Sequence, residues 1–475
     1  METENELTLE VFQTSAEGMK YQKIDEHSSL EEPTSQIVIN PEEEFQTMTG
    51  IGGSFTESSA YLLNQVSKEN REKVLQAYFG EDGAKYSLTR THINSSDFSL
   101  SNYAYVEEGD TELKTFTIDE DRDDIIPMIK EAMEISVDGF NIISSPWTAP
   151  PFMKDNNKWV GGKLLKEHYP TWAKYFSKYI EEYQKEGIAI WGVTFENEPL
   201  GNGNNWESMH YSPDEMVDFV QNHLGPQLEN DKRDVKILGY DQNRGEELTE
   251  WTERMYANEE SSKYFAGTAV HWYASTVDWY GEALQETHAL APEKYLIQTE
   301  GCIDSEVPKW QDDDWYWSKE ATDWGWDWAP DHQKKDHPKY VPVYRYARDM
   351  IGSMNNWVDG WVDWNMVLDR QGGPNWFKNW CAAPVLVDPD KNEVYFTPLY
   401  YVMKHFSRHI RPGAKRIGFT NGDSDLMVTS VKNPDGSIVV MVLNMTENAK
   451  EFNLQLKDES KSIRIDPQAL QTIII

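Results

Sequence analysis

Cysteine is almost missing from this chain: Cys302 and Cys381 are the only two in 475 residues. Two thiols cannot build a disulfide framework, and no C-x-x-C or Cys/His spacing offers a zinc site. The redox compartment therefore stays open. Basic residues are scarce as well, 44 Lys and Arg against 81 Asp and Glu, for a formal charge of −37. A surface of that sign repels phosphate backbones and anionic lipids, which argues against sequence-general nucleic-acid binding and membrane-surface attachment. No apolar run reaches the ~20 residues that span a bilayer. The acidic start, Met1 to Glu6, lacks the basic and apolar regions of a signal peptide. Either the protein works in the cytosol or an export signal precedes the sequence shown. No G-x-G-x-x-G, no Gly-Lys-Ser/Thr loop, no G-x-S-x-G elbow and no H-E-x-x-H helix occurs, so nucleotide-cradle, serine-hydrolase and zincin chemistries have no motif here.

What is abundant is aromatic. Nineteen Trp, 24 Tyr and 17 Phe make up 13% of the chain, and 39% of it is apolar. That is ample for a core and excludes wholesale disorder. Neutral, hydroxyl-rich ligands such as sugars suit an acidic protein with exposed tryptophan.

From about residue 47, eight short β-branched or apolar runs alternate with amphipathic stretches. The runs are 47–55, 86–93, 139–145, 189–195, 235–240, 267–273, 294–299 and 358–365. Segments such as 58–79, 121–135, 163–185, 213–224 and 341–355 carry helical periodicity between them. Eight β/α units over this length predict an α/β chain with a (β/α)8 TIM barrel rather than an open doubly wound sheet. Gly50 to Gly53 reads as a tight turn at the first strand. The C-terminal stretch has strands without helices: 426–432 and 437–443 around Asn433-Pro-Asp-Gly436, then 452–456, 462–465 and 470–475. The N-terminal runs 7–14, 21–24 and 36–39 are also strand-like. Neither end suffices alone, so both are expected to build one β-sandwich, with boundaries at 1–45, 46–404 and 405–475.

In a barrel, chemistry sits at the C-terminal ends of the strands. The fourth run ends Phe195-Glu-Asn-Glu198-Pro199 and the seventh ends Thr299-Glu300-Gly301. Strands four and seven lie across the ring from each other, so Glu198 and Glu300 can face each other over the mouth. Glycoside hydrolysis needs such a pair. In a chain with 81 acids, one glutamate at a strand end means little. The Glu-Asn-Glu-Pro tip together with Glu300 is far narrower.

These residues carry a resemblance. The chain from about Phe45 to Pro412 is similar to glycoside hydrolase family 30, the family of lysosomal glucosylceramidase and bacterial β-1,6-glucanases. The motifs are Gly50-Ile-Gly-Gly-Ser-Phe-Thr-Glu57, Ser145-Pro-Trp-Thr-Ala-Pro150, Phe195-Glu-Asn-Glu-Pro199, His271-Trp-Tyr273, Thr299-Glu-Gly301, Trp364-Asn365 and Gly372-Gly-Pro-Asn-Trp376. The resemblance implies a retaining enzyme with Glu198 as acid/base and Glu300 as nucleophile. It also implies a sugar subsite lined by Arg90, Asp97, Trp147, Asn197, His271, Tyr273, Trp364 and Asn379. In that picture Arg90 lowers the pKa of Glu300, Tyr273 donates to it, Asp97 and Asn379 bind glucose hydroxyls, and Asn197 reaches the 2-hydroxyl. Trp147 and Trp364 offer ring faces, and His271 orients its neighbours. No metal and no cofactor is expected.

After the nucleophile strand, six Trp, one Tyr and five Asp fall within residues 310–328. On a loop at the barrel mouth they are expected to wall the subsites and to favour a soluble saccharide over a lipid. The preferred substrate is β-1,6-linked glucose in β-1,6-glucan or in the branches of a β-1,3-glucan such as laminarin. A glucosylceramidase-like β-glucosidase, a xylan-active enzyme and a silent carbohydrate-binding protein are the alternatives. The resemblance further implies a secreted, periplasmic or cell-surface location.

Overall fold

The computed structural model describes residues 7–24, 33, 35–202, 205–304, 312–319 and 331–475. Eight parallel strands close into a barrel in chain order: Gly50–Phe55, Leu88–Ile93, Asn141–Pro146, Gly192–Thr194, Lys236–Asn243, Phe265–His271, Tyr295–Glu300 and Gly360–Asn365. Each falls on one of the eight expected runs, with ends shifted by a few residues. The eighth strand closes on the first through Gly360 and Gly50. Inside the ring, Leu88, Ile143, Leu238, Ala269, Ile297 and Val362 form a buried apolar plug, so the barrel floor is packed and only its mouth is open.

The glycines at 50–53 are not a turn. They lie within the first strand because its neighbour presses on it: a Cβ on Gly52 would sit 2.0 Å from the Leu88 carbonyl oxygen. Glycine here permits close strand approach.

Both chain ends join one nine-stranded ladder, in which Glu10–Ser15 pairs with the C-terminal strand Ala469–Ile474 and Ser35–Thr47 lies between Lys415–Asn421 and Lys450–Leu456. Strands distant in this ladder share one core: Val11, Val440, Val442, Phe452, Leu454, Ile463 and Ile465. The ladder thus folds over itself as a sandwich. Its strand Ile438–Asn444 is buried throughout. Val440 and Val442 face the sandwich core, while Val439, Met441 and Leu443 belong to the cluster shared with the barrel helices. Burial on both faces explains why this run is continuously apolar and not alternating.

Helix Pro398–His409 runs unbroken through the expected 404/405 boundary and forms the seam between barrel and sandwich. Its His405 is fully buried, with Nε2 2.8 Å from Thr14 Oγ1 and Nδ1 2.8 Å from Thr472 Oγ1, one residue from each chain end. Burial, with His409 and Lys404 nearby, holds its pKa well below 6.5. The native state therefore keeps a neutral imidazole where the unfolded chain takes up a proton, and this contribution to stability is present above pH ~6.5 and lost on acidification below it. The stability deficit of His405→Gln relative to wild type, read by denaturant titration, is accordingly largest near pH 7.5 and narrows towards pH 5. A deficit that does not change with pH would contradict this account of the seam.

Candidate active site

Successive barrel strands each place a polar side chain in one layer above the apolar plug: Arg90, Ser145, Thr194, Asp241, His271 and Glu300. Arg90 and Asp241 are wholly buried and form its centre. The Arg90 guanidinium donates from Nη1 to Glu300 Oε2 at 2.6 Å and from Nη2 to Asp241 Oδ2 at 2.8 Å and Asn197 Oδ1 at 2.9 Å, and its Nε donates to Ser145 Oγ at 3.1 Å. Asp241 also accepts from Thr194 at 2.6 Å and Thr299 at 2.6 Å, and sits 2.9 Å from His271 Nε2. The other ring nitrogen, Nδ1, is 3.2 Å from Glu198 Oε1. Tyr273 donates its hydroxyl to Glu300 Oε1 at 2.9 Å.

Each buried charge is thus paired at least twice, which is what its desolvation demands. Burial works against ionisation of Asp241, but Arg90 and His271 outweigh it and hold the carboxyl far below the usual range. Burial likewise disfavours a charged His271, yet Asp241 and Glu300 raise it to about 9. It is an imidazolium at neutral pH, with both nitrogens donating. Glu300 differs from expectation. Its burial pushes the carboxyl above the ordinary value, with Glu198 adding to the rise, and His271, Arg90 and Tyr273 only oppose that rise. Arg90 therefore limits the rise and does not depress the pKa outright.

One oxygen of Glu198, one of Glu300 and one nitrogen of His271 lie within 4.8 Å of one another. Three such groups could in principle hold a cation, but the donors already present are Arg90 and a protonated His271. Two positive groups occupying the lone pairs make this a poor metal site.

The geometry is held by strained backbone. Glu198, Tyr240 and Asp241 have φ of 52°, 70° and 54°. Such conformations cost non-glycine residues about 1–3 kcal/mol each and cluster at functional sites. A register shift between Tyr240 and Gln242 turns Asp241 inward. The Glu198 amide then donates to the Asp241 carbonyl at 2.9 Å, which ties the fourth strand's tip to the fifth.

Above this layer opens a cleft of about 1280 Å³, lined by Asp97, Trp147, Asn197, Glu198, Tyr273, Glu300, Trp364 and Asn379 among others. All ten expected residues thus meet at one place, eight in the lining and Arg90 and His271 beneath it. Asp97 accepts from the Asn379 amide at 3.3 Å, while its Oδ1 is buried without a partner. The two indoles do not simply offer free faces. Trp147 and Trp364 stack on each other with ring centres 5.1 Å apart, and Arg90 lies over both at 4.9 and 5.7 Å. What they present to the cleft is their remaining surface. Asp241, the hub, was not among the expected residues. Its only signal in sequence is an acid directly after the fifth apolar run.

The tryptophan-rich stretch is corrected in part. Among residues 312–319 none lines the cleft. The short helix Asp313–Trp317 lies instead against helices Pro342–Met354 and Pro398–His409, with Tyr316 buried, Trp317 edge-on to Tyr344 at 6.1 Å, and Asp313 paired with Lys20 at 2.5 Å. Trp310, Trp324, Trp326 and Trp328 lie outside the described residues. Among the described residues, the cleft wall includes Trp206, Gln333, Lys335, Phe377 and Trp380.

Comparison with known proteins decides the family. Residues 48–410 match the glycosyl hydrolase family 30 TIM-barrel domain, and residues 413–473 match that family's β-sandwich domain. The chain belongs to glycoside hydrolase family 30. It is 33% identical to mouse (Mus musculus) lysosomal acid glucosylceramidase over 433 residues, covering 89% of this chain and 79% of that protein. It is 27% identical to the endo-1,6-beta-D-glucanase of Neurospora crassa, over 87% of this chain and 82% of that one. The solved structure of the endo-beta1,6-glucanase BT3312 superposes with a TM-score of 0.82 at 28% identity, covering 98% of this chain and 99% of that chain. A family 30 chain is a glycoside hydrolase, and its ligand is carbohydrate. Among the described residues no helix is long and apolar enough to cross a membrane.

Asp241→Asn removes the anion between two buried cations. We expect the His271 titration midpoint, read by imidazole NMR, to fall well below 9, and the fold to lose about 3–5 kcal/mol of stability. An unchanged midpoint would show that Asp241 does not hold the proton on His271.

Proposed function

We propose that the chain is a retaining β-glucosidase-type enzyme in which Glu300 attacks the anomeric carbon while Glu198 protonates the departing oxygen. The observation that carries this reading is that one oxygen of Glu198 and one of Glu300 come within 4.8 Å of each other in one cleft, with Arg90 and Tyr273 each holding one Glu300 oxygen. Retaining pairs lie roughly 5–5.5 Å apart, whereas inverting pairs leave about 6.5–9.5 Å for a water between them. In the first step the C1–O bond breaks, C1 forms an ester with Glu300, and the leaving oxygen takes the Glu198 proton. In the second, Glu198 takes a proton from water, whose oxygen displaces Glu300. His271 Nδ1 stands 3.2 Å from Glu198 Oε1 and orients that carboxyl at the cleft. Arg90 and Tyr273 fix both Glu300 oxygens before reaction, so little reorganisation is needed on attack. The unpartnered Asp97 oxygen and the Asn379 amide suit sugar hydroxyls, and Asn197, pinned by Arg90, suits the 2-hydroxyl.

The preferred substrate is β-1,6-linked glucose in a glucan. The cleft exceeds the ~300–1,000 Å³ of common small-ligand pockets, so it holds more than one ring, and its rim includes Asn202, Gln242, Glu246, Asp278 and Lys335. Likeness to two endo-1,6-glucanases supports the same choice. A polymer of this kind would be met outside the cytoplasm. A specific observation favours a second reading, a glucosylceramidase-like β-glucosidase: Val277 and Phe377 in the lining are 44% and 37% exposed, as a lipid aglycone would use. In both substrates the glucose hangs from a primary carbon, so the −1 pocket cannot tell them apart and the rim must.

Reducing-sugar release from β-1,6-glucan, branched β-1,3-glucan, gentiobiose, xylan and glucosylceramide separates the readings. We expect turnover of the 1,6-linked members. Glucosylceramide cleavage with no glucose from any 1,6-linked member would replace the first reading by the second. Glu300→Gln is expected to cost 10³-fold or more in kcat, and wild type releasing sugar no faster than this variant would leave only a binding protein.

A further inference from the structure

The two cysteines lie far apart in sequence and meet in the cleft. Cys302 Sγ and Cys381 Sγ are 3.5 Å apart, and both residues are buried yet line the cavity. A short antiparallel pairing of Ile303–Asp304 with Cys381–Ala382 sets them there. Asp304 stands opposite Cys381, so Cys302 is two residues out of register with it. Both are free cysteines, with the Cys302 thiol directed at Cys381 Sγ.

We propose that Cys302 and Cys381 form a two-thiolate site for one thiophilic divalent d10 cation, zinc being the physiological member of the class, and that its occupancy shuts the enzyme. Thiolates select soft or borderline cations over magnesium and calcium. An ion about 2.3 Å from each sulfur, the usual zinc–thiolate distance, subtends about 100° between sulfurs 3.5 Å apart. That is close to tetrahedral and far from the linear arrangement that would need wider spacing. Water from the cleft completes the shell. Binding replaces two S–H bonds by two metal–sulfur bonds and releases two protons, with no change of oxidation state. The link to catalysis is Tyr273, whose hydroxyl is 3.4 Å from Cys302 Sγ and donates to Glu300 at 2.9 Å. A hydrated ion on the sulfurs stands against that phenol, in the space a sugar must enter.

Cadmium chloride is the probe, because cadmium thiolates absorb in the near ultraviolet. With the full chain we expect a charge-transfer band that saturates at one cadmium per chain. Hydrolysis of an aryl β-glucoside should fall at least tenfold at saturation and return on adding EDTA, while magnesium at the same concentration does neither. Cys381→Ser should lose the band and, relative to its own metal-free rate, need at least tenfold more cadmium for the same inhibition, and Cys302→Ser should also lose the band. Absence of the band, a band without loss of activity, or equal inhibition of wild type and Cys381→Ser would each overturn the proposal. The last outcome would place the metal on Glu198, His271 and Glu300 instead. The band does not depend on turnover, so a chain inactive on every glycoside would count against the glycosidase reading and leave the band to decide the metal site.

Discussion

The site depends on one buried ion pair, Arg90 with Asp241. Neither side chain has any exposure, and their 2.8 Å contact lies within the layer of six polar strand tips. Remove it and the guanidinium has only Glu300 left as a counter-charge, while His271 loses the anion that keeps it protonated. Through Arg90 and His271 the pair reaches both Glu300 and Glu198. The two carboxylates thus take their positions, and their surroundings, from a charge arrangement that itself touches no substrate. The cost of burying it is shared among Thr194, Thr299, Ser145 and Asn197, which complete the hydrogen bonding.

The barrel supplies what that arrangement needs. The packed apolar plug beneath it excludes water from one side, and the stacked indoles of Trp147 and Trp364 cover Arg90 from another. Low local polarity strengthens each remaining interaction. The strained backbone at Glu198, Tyr240 and Asp241 is tolerated because neighbouring strand tips hold it, as the Glu198 amide on the Asp241 carbonyl shows. Among the described residues, none from the sandwich strands lines the cleft. The sandwich grips the barrel through helix Pro398–His409 and the two-faced strand Ile438–Asn444.

Much of this was legible in the sequence for physical reasons. Eight short β-branched or apolar runs alternate with amphipathic stretches, so all eight barrel strands stood out, and acids at two opposite tips marked Glu198 and Glu300. Asp241 did not stand out, because a bulge breaks the two-residue period just where its direction is decided, and acids are common in this chain. The influence of Arg90 on Glu300 was legible in sign, but burial, which sequence does not report, is the larger effect. The described part of the tryptophan-rich stretch misled for the opposite reason: aromatic density says that something is covered, not what. Its Trp317 covers a barrel helix and its Asp313 pairs with the N-terminal segment. The meeting of Cys302 and Cys381 follows from a two-residue strand pairing too short to leave any pattern.

The central claim is that this buried network presents Glu300 as the nucleophile. Incubation with a 2-deoxy-2-fluoro-β-glucoside bearing an activated leaving group, followed by peptic digestion and mass spectrometry, tests it directly. The account predicts a single 2-fluoroglucosyl ester on Glu300, forming as activity is lost. A label on another residue, or inactivation with no covalent sugar, would contradict it.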